Sequence, residues 1–185
     1  MHCAHGTVHP YTRAVDLKQF IRDIPDFPQS GILFRDITPL LQSALALKYV
    51  VDRLTDEFRA AKVDAVVAIE SRGFLFGVPL AYKLGVGIVP VRKAGKLPAA
   101  HISVEYALEY GTSQLDIHED ALKRGDKVVI VDDLLATGGT AMAAAKLVEM
   151  LGARVHAIAF VVELGFLKGR ERLRDYEVLS LVTYD

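Results

Sequence analysis

The stretch Val128-Val129-Ile130-Val131-Asp132-Asp133-Leu134-Leu135-Ala136-Thr137-Gly138-Gly139-Thr140 decides how the rest of the chain is read. Its first part is apolar and β-branched, the composition of a strand buried on both faces. Two carboxylates, Asp132 and Asp133, stand at its carboxyl end, and a Thr-Gly-Gly-Thr turn follows. Ala141 to Leu151 is rich in helix-favouring residues, with Gly152 placed to end the helix. A small-residue turn leading into a helix leaves backbone N–H groups unpaired and aimed at one place. The helix dipole adds positive charge there, and such a place binds phosphate. Gly138 and Gly139 let the backbone come close, Thr137 and Thr140 add hydroxyls, and Thr140 is a candidate helix cap. The two aspartates repel a phosphate, so they suit neighbouring hydroxyls, as on a ribose, or a cation. The unit reads as a cradle for a ribose 5-phosphate. An ordinary strand–turn–helix crossover with a solvated acidic turn stays open at this point.

Composition bounds what surrounds this unit. The 185 residues suit one domain with a full core. An apolar fraction of 51% beside 24% charged residues is ordinary for a globular chain. A net charge of −1 gives no general pull toward nucleic acid or membrane, so an anion site has to be local. The single Cys3 cannot form an internal disulfide; with no secretory-type leader, that points to a reducing, cytosolic setting. No apolar run is long enough to span a bilayer. There is no Gly-x-x-x-x-Gly-Lys, Gly-x-Gly-x-x-Gly or His-Glu-x-x-His, so kinases of the first type, dehydrogenases and zinc proteases gain no support.

Toward the amino terminus, His2, Cys3, His5 and His9 have a spacing that fits no common metal site, and residues 1–13 read as a loosely ordered tail. Asp16 to Ile24 carries Leu17, Phe20, Ile21 and Ile24 on one helical face, and Pro25 and Pro28 end it. Phe27 and Phe34, taken alone, read as core. Ala44 to Ala61 reads as a helix, Asp64 to Ile69 as a buried strand, and Phe74 to Leu84 as a crossover helix. Between the last two lies Glu70-Ser71-Arg72-Gly73, a polar loop at a strand's carboxyl end, where open α/β sheets bind ligands. Arg72 suits a phosphate oxygen, or else a surface ion pair at a helix start. Val86 to Val91 is a third strand, followed by the basic run Arg92-Lys93-Ala94-Gly95-Lys96-Leu97-Pro98, which alone is as well read as a solvated face. His101 to Gly111 suggests a β-hairpin arm, in which Glu109 by itself is one acid of 23. Asp116 to Lys123 reads as a short helix. Beyond the central unit come a strand at Arg154 to Val162, a helical turn at Gly165 to Arg174 and a strand at Glu177 to Thr183. The sum is an α/β fold, a βαβ series with a mostly parallel central sheet and helices on both faces.

Val129 to Thr140, Glu70 to Phe74, Arg92 to Pro98, Leu108-Glu109-Tyr110-Gly111, and Val162-Glu163-Leu164 with Leu167-Lys168-Gly169-Arg170 together resemble type I phosphoribosyltransferases. The aromatic segment from Asp26 to Pro39 is similar to the hood of the adenine-using members. The resemblance runs from about Ile21 to Val182 and implies a Rossmann-like single domain over 14–185. It also implies a small N-terminal hood at about 14–40 and a flexible flap at about 94–113. Ala99 stands where the family usually has glycine.

The implied activity is transfer of the 5-phosphoribosyl group from 5-phosphoribosyl diphosphate (PRPP) to adenine, giving AMP and diphosphate in purine salvage. By the same resemblance Glu109 is the catalytic carboxyl group and Tyr110 helps close the flap. Asp132, Asp133, Ala136, Thr137, Gly138, Gly139 and Thr140 hold the ribose and 5′-phosphate. Ser71, Arg72, Arg92, Lys93 and Lys96 meet the diphosphate, with a non-proline cis peptide expected at Glu70–Ser71. Phe34 stacks on the base, backbone groups of Leu33 and Arg35 read its edge, and Leu164 touches its far side. Mg²⁺ accompanies PRPP, held through PRPP and water with no direct side-chain ligand. A cytoplasmic homodimer is implied, with adenine and PRPP as small-molecule partners and no nucleic acid or membrane. Two alternatives stand beside this reading. One is the same reaction with another base, such as hypoxanthine, guanine or orotate; the other is a regulator that senses PRPP or a purine without turnover.

Overall fold

The computed structural model describes residues 15–107 and 111–185, which cluster as two units, up to Tyr49 and from Val50 onward. In the first, the helix expected over Asp16 to Ile24 is a single 3₁₀ turn, Leu17–Phe20, capped by the Asp16 carboxylate, which accepts from the Lys18 amide at 3.1 Å. The chain then extends into β1 (Arg22–Pro25), antiparallel to β2 (Leu33–Asp36), with Ile24 opposite Phe34. The spacing of Leu17, Phe20, Ile21 and Ile24 suits a helix locally, but the backbone bonds to β2 win over that local preference. The short helix α1 (Thr38–Gln42) follows, with Pro39 in its first turn, where its missing N–H costs nothing. The helix α2 (Ala44–Phe58) begins in this unit and continues past Val50.

The second unit holds β3 (Ala65–Ile69), α3 (Gly73–Leu84), β4 (Gly87–Lys93), β5 (His101–Ala107), β6 (Thr112–His118), β7 (Lys127–Leu135), α4 (Gly139–Met150), β8 (Arg154–Leu164), α5 (Gly169–Arg172) and β9 (Val178–Tyr184). Seven strands make one sheet in the order β5-β6-β4-β3-β7-β8-β9. Strands β4, β3, β7, β8 and β9 are parallel neighbours, and β6 and β5 join antiparallel at one edge. The mostly parallel α/β sheet read from the sequence is therefore present. The hairpin arm is also present as β5 and β6, paired from His101↔His118 to Ala107↔Thr112. The helix expected from Asp116 is not: strand β6 runs through His118. Asp116 is fully buried between Leu115 and Ile117.

The core follows from composition. All five residues of β3 are buried, and Val128 to Val131 of β7 expose nothing. These are the central strands of a parallel sheet, covered on both faces. Small residues bring the helices close. A side chain at Gly77 in α3 would put its Cβ 2.6 Å from that of Ala68. In α4, Ala141, Ala143, Ala144, Ala145 and Leu147 are buried. Burying a side chain such as Leu147 stabilises the fold by roughly 1.5–3 kcal/mol. Among the described residues no helix is long and apolar enough to cross a membrane.

Candidate active site

The carboxyl ends of β3, β4 and β7 lie at one edge of the sheet, since the three are parallel neighbours. The turn after β7 builds a small cavity of about 70 Å³, lined by Asp132, Phe160 and residues 134–141. That volume holds a few waters or one phosphate group. Helix α4 starts at Gly139 with Gly138 as its N-cap, at φ +78°, and no side chain caps it. The cap expected of Thr140 is therefore absent. Its hydroxyl instead donates to the Tyr106 hydroxyl on β5, at 3.4 Å. The left-handed backbone at Gly138 is open to glycine at little cost, and it turns the chain so that the first N–H groups of α4 stay available for an anion.

Asp132 and Asp133 point differently because strand residues alternate. Asp132 is half-buried and its Oδ1 accepts from the Asp133 amide at 2.9 Å. Burial first, and the neighbouring Asp133 charge second, push the Asp132 carboxyl well above its ordinary range. Asp133 is buried and receives the Arg72 Nε–H in an ion pair. Gly73 lets this happen, since a Cβ there would lie 2.7 Å from the Val131 carbonyl oxygen and 3.1 Å from Asp132 Oδ1. The loop carrying Ser71 and Arg72 thus lies directly against the acidic end of β7. The Glu70–Ser71 peptide is cis, as the resemblance implied.

A second carboxylate ties this loop to the basic run. Glu70 Oε2 accepts from Arg92 Nε at 3.1 Å and from the Lys93 amide at 3.0 Å. The Arg92 hydrogen bond holds the Glu70 carboxyl below its ordinary range. Lys93 and Lys96 are exposed, and Arg92 Nη1 also donates to the Lys96 carbonyl at 3.4 Å. A third carboxylate ties the basic run to the hairpin. Asp116 Oδ2 accepts from the Gly95 amide at 3.2 Å, while Oδ1 accepts from Ser103 and Gln114, each at 2.8 Å. Burial raises the Asp116 carboxyl, but these hydrogen bonds outweigh it and hold it below the ordinary value.

Arg72, Arg92, Lys93 and the acidic end of β7 are therefore joined in one chain of contacts with the phosphate-sized cavity. Leu164 ends β8 and is buried. Leu33, Phe34 and Arg35 sit on β2 of the first unit, where Phe34 meets Phe27 edge to face, their ring centres 5.2 Å apart. Arg35 there pairs with Asp23. Glu109 and Tyr110 lie outside the described residues. The sequence reading missed Glu70, Asp116 and Tyr106. Glu70 was the nearest to being found, as the carboxylate between a buried strand and Arg72.

This arrangement has close relatives. The chain matches the phosphoribosyl transferase domain family over residues 40–183. It is 59% identical over 170 residues to the adenine phosphoribosyltransferase of Thermotoga neapolitana, a match that spans 92% of this chain and all of that one. The crystal structure of adenine phosphoribosyltransferase from Thermoanaerobacter pseudethanolicus is 57% identical and superposes with a TM-score of 0.88 over 91% of this chain and 98% of that one. The Saccharomyces cerevisiae enzyme, solved with adenine and an imino-altritol bisphosphate, gives 46% identity and a TM-score of 0.84 over 89% and 96%. With the cradle, the arginine pairs and these likenesses together, the chain belongs to the adenine phosphoribosyltransferase family.

Proposed function

We propose that this chain transfers the 5-phosphoribosyl group of PRPP to adenine, releasing diphosphate and forming AMP, within a single catalytic domain spanning 14–185. The observation that carries the reading is the phosphate-sized cavity at the start of α4, with Arg72 held beside it by Asp133. The base nitrogen bonds to the anomeric carbon as the bond from that carbon to the diphosphate oxygen breaks. The electron pair leaves with diphosphate, and the proton of the base nitrogen passes to Glu109. Ala136, Thr137, Gly138, Gly139 and Thr140 hold the 5′-phosphate, and Asp132 and Asp133 hold the ribose hydroxyls. Ser71, Arg72, Arg92, Lys93 and Lys96 take the charge that grows on diphosphate. Catalysis is then mostly orientation and electrostatics. Phe34 stacks on adenine, Leu33 and Arg35 read its edge through backbone groups, and Leu164 bounds it. Glu109 works as general acid and base, and Tyr110 closes the flap over it.

Mg²⁺ would be held through PRPP and water, with no direct side-chain ligand. It would neutralise charge on the diphosphate. A homodimer is supported by the outer face of α3, where Leu75, Val78 and Tyr82 are 47%, 54% and 87% exposed at helical spacing. Val78→Asp is expected to shift the chain from dimer to monomer in sedimentation. A cytoplasmic setting rests on the lone Cys3.

The test is nucleotide formation from PRPP and Mg²⁺ with adenine, hypoxanthine, guanine and orotate in parallel. AMP from adenine alone is expected. Product from another base overturns the specificity. Tight PRPP binding with no product from any base favours a sensor.

A further inference from the structure

The residues described so far leave one close approach unused. Gly169 opens α5, and its backbone lies against the phosphate turn with nothing between. A Cβ on Gly169 would run into the Ala136 carbonyl oxygen and come within 2.9 Å of Leu135 Cδ1. The approach is reciprocal: a Cβ on Gly138 would lie 2.6 Å from the Gly169 carbonyl oxygen. Both glycines are therefore required by backbone packed on backbone, a contact that no rotamer change can relieve.

The next residue anchors this contact. Arg170 donates from Nε to Glu163 Oε1 at 3.0 Å and from Nη2 to Glu163 Oε2 at 2.6 Å. Its Nη1 donates to the Val178 carbonyl at 2.7 Å, and Nη2 reaches Ser180 Oγ at 3.4 Å. One guanidinium so spans β8 and β9. Glu163 is buried, and its carboxyl is held below the ordinary range, chiefly by Arg170. A fork of this kind fixes orientation as well as charge. Glu163 is also the register partner of Leu135, the last residue of β7 before the phosphate turn. Lys168 takes a left-handed turn at φ +54° to bring Gly169 there, and Leu173 buries the far end.

We propose that the Lys168–Arg170 turn, locked by Glu163, is a backstop that sets the position of the Ala136–Gly138 backbone and hence the affinity for the 5′-phosphate. Gly169, Arg170 and Glu163 are positioning residues on this view; they touch the loop and not the ligand. The inference rests on the phosphate reading of that turn, and binding is used to test it so that turnover is not needed.

The probe is ribose 5-phosphate, titrated by calorimetry into the full chain and its variants, with KM for PRPP and for adenine measured beside it. Gly169→Ala displaces several N–H donors to a charged group, so its Kd and its KM for PRPP rise by about tenfold or more, while KM for adenine stays within about twofold. Arg170→Lys keeps the charge and loses the fork, and weakens binding by about threefold or more. A role in stability alone lowers the active fraction and leaves Kd per active site unchanged. A folded Gly169→Ala that binds within about twofold of the parent overturns the proposal. If Gly169→Ala does not fold, Arg170→Lys decides, and parental affinity there overturns it equally. A parent chain that does not bind ribose 5-phosphate removes this inference and leaves the proposed function to the nucleotide-formation test. A parent that binds but makes no AMP removes only the proposed function.

Discussion

The turn at residues 136–140 and the run at residues 92–96 both serve phosphate groups in the proposed reaction, and they are built in opposite ways. The turn is backbone. Its donors are the first N–H groups of α4, its space comes from glycines, and Gly169 packs on it directly. The run, with Arg72 beside it, works through side chains, each arginine answered by a carboxylate: Arg72 by Asp133 and Arg92 by Glu70. The chemistry explains the division. The 5′-phosphate keeps its place from substrate to product, so fixed donors serve it best. Diphosphate arrives bound and leaves free, and ion pairs that exchange partners suit a group that must depart. The arginines stay partly exposed and can turn to diphosphate, whereas Asp133 and Glu70 are largely covered and hold them between turnovers.

The largest expected effect is at Glu109, where a side chain carries the chemical step. Glu109→Gln lowers kcat by about 10²- to 10⁴-fold with KM for PRPP nearly unchanged; equal losses in both remove its assigned role. Next comes the backbone end. Gly138→Ala is expected to raise KM for PRPP by about 10- to 100-fold, since φ +78° and the Gly169 carbonyl both resist a Cβ. Combined with Gly169→Ala it adds less than its single effect, because the two alter one contact. Smaller is Glu70→Gln, which frees Arg92 and shifts the diphosphate KM of the reverse reaction by about three- to tenfold. A backbone-sized effect there breaks the contrast between the two ends.

The smallest effect is one of stability, with the opposite sign. The folded-state pKa of Asp132 lies above its ordinary value. The folded chain therefore holds this proton more tightly than the unfolded one, and stability falls as pH rises through that window. At neutral pH, above the ordinary value, burial of this group costs stability. Asp132→Asn is expected to raise Tm by removing that cost, while AMP formation drops. A lower Tm contradicts this account.

The central unit was legible because three signals agreed over few residues: a buried β-branched run, a glycine turn and a helix-rich sequel. The same consistency made β3, β4 and α3 readable. The failures at Asp16–Ile24 and Asp116–Lys123 share a cause. Both segments carry local patterns that suit a helix, and both are taken by a neighbouring strand, β2 for the first and β5 for the second. Pairing across the chain leaves no local mark. Glu70 and Asp116 escaped notice for a related reason, since what matters about them is a partner 22 or 21 residues away. Gly169 was visible only as part of a family-like segment, for a glycine's neighbour through space is written nowhere near it.

The parallel order of β4, β3, β7 and β8 has a consequence for how such a chain changes over time. Each strand ends at the same rim and hands its own loop to it, so the groups that meet there are inherited separately. Where loops touch, as Gly169 does Gly138 and Glu70 does Arg92, they change together; elsewhere each can change alone. A scaffold of this sort can trade what it accepts one segment at a time, keeping its grip on the sugar phosphate while its tastes elsewhere drift.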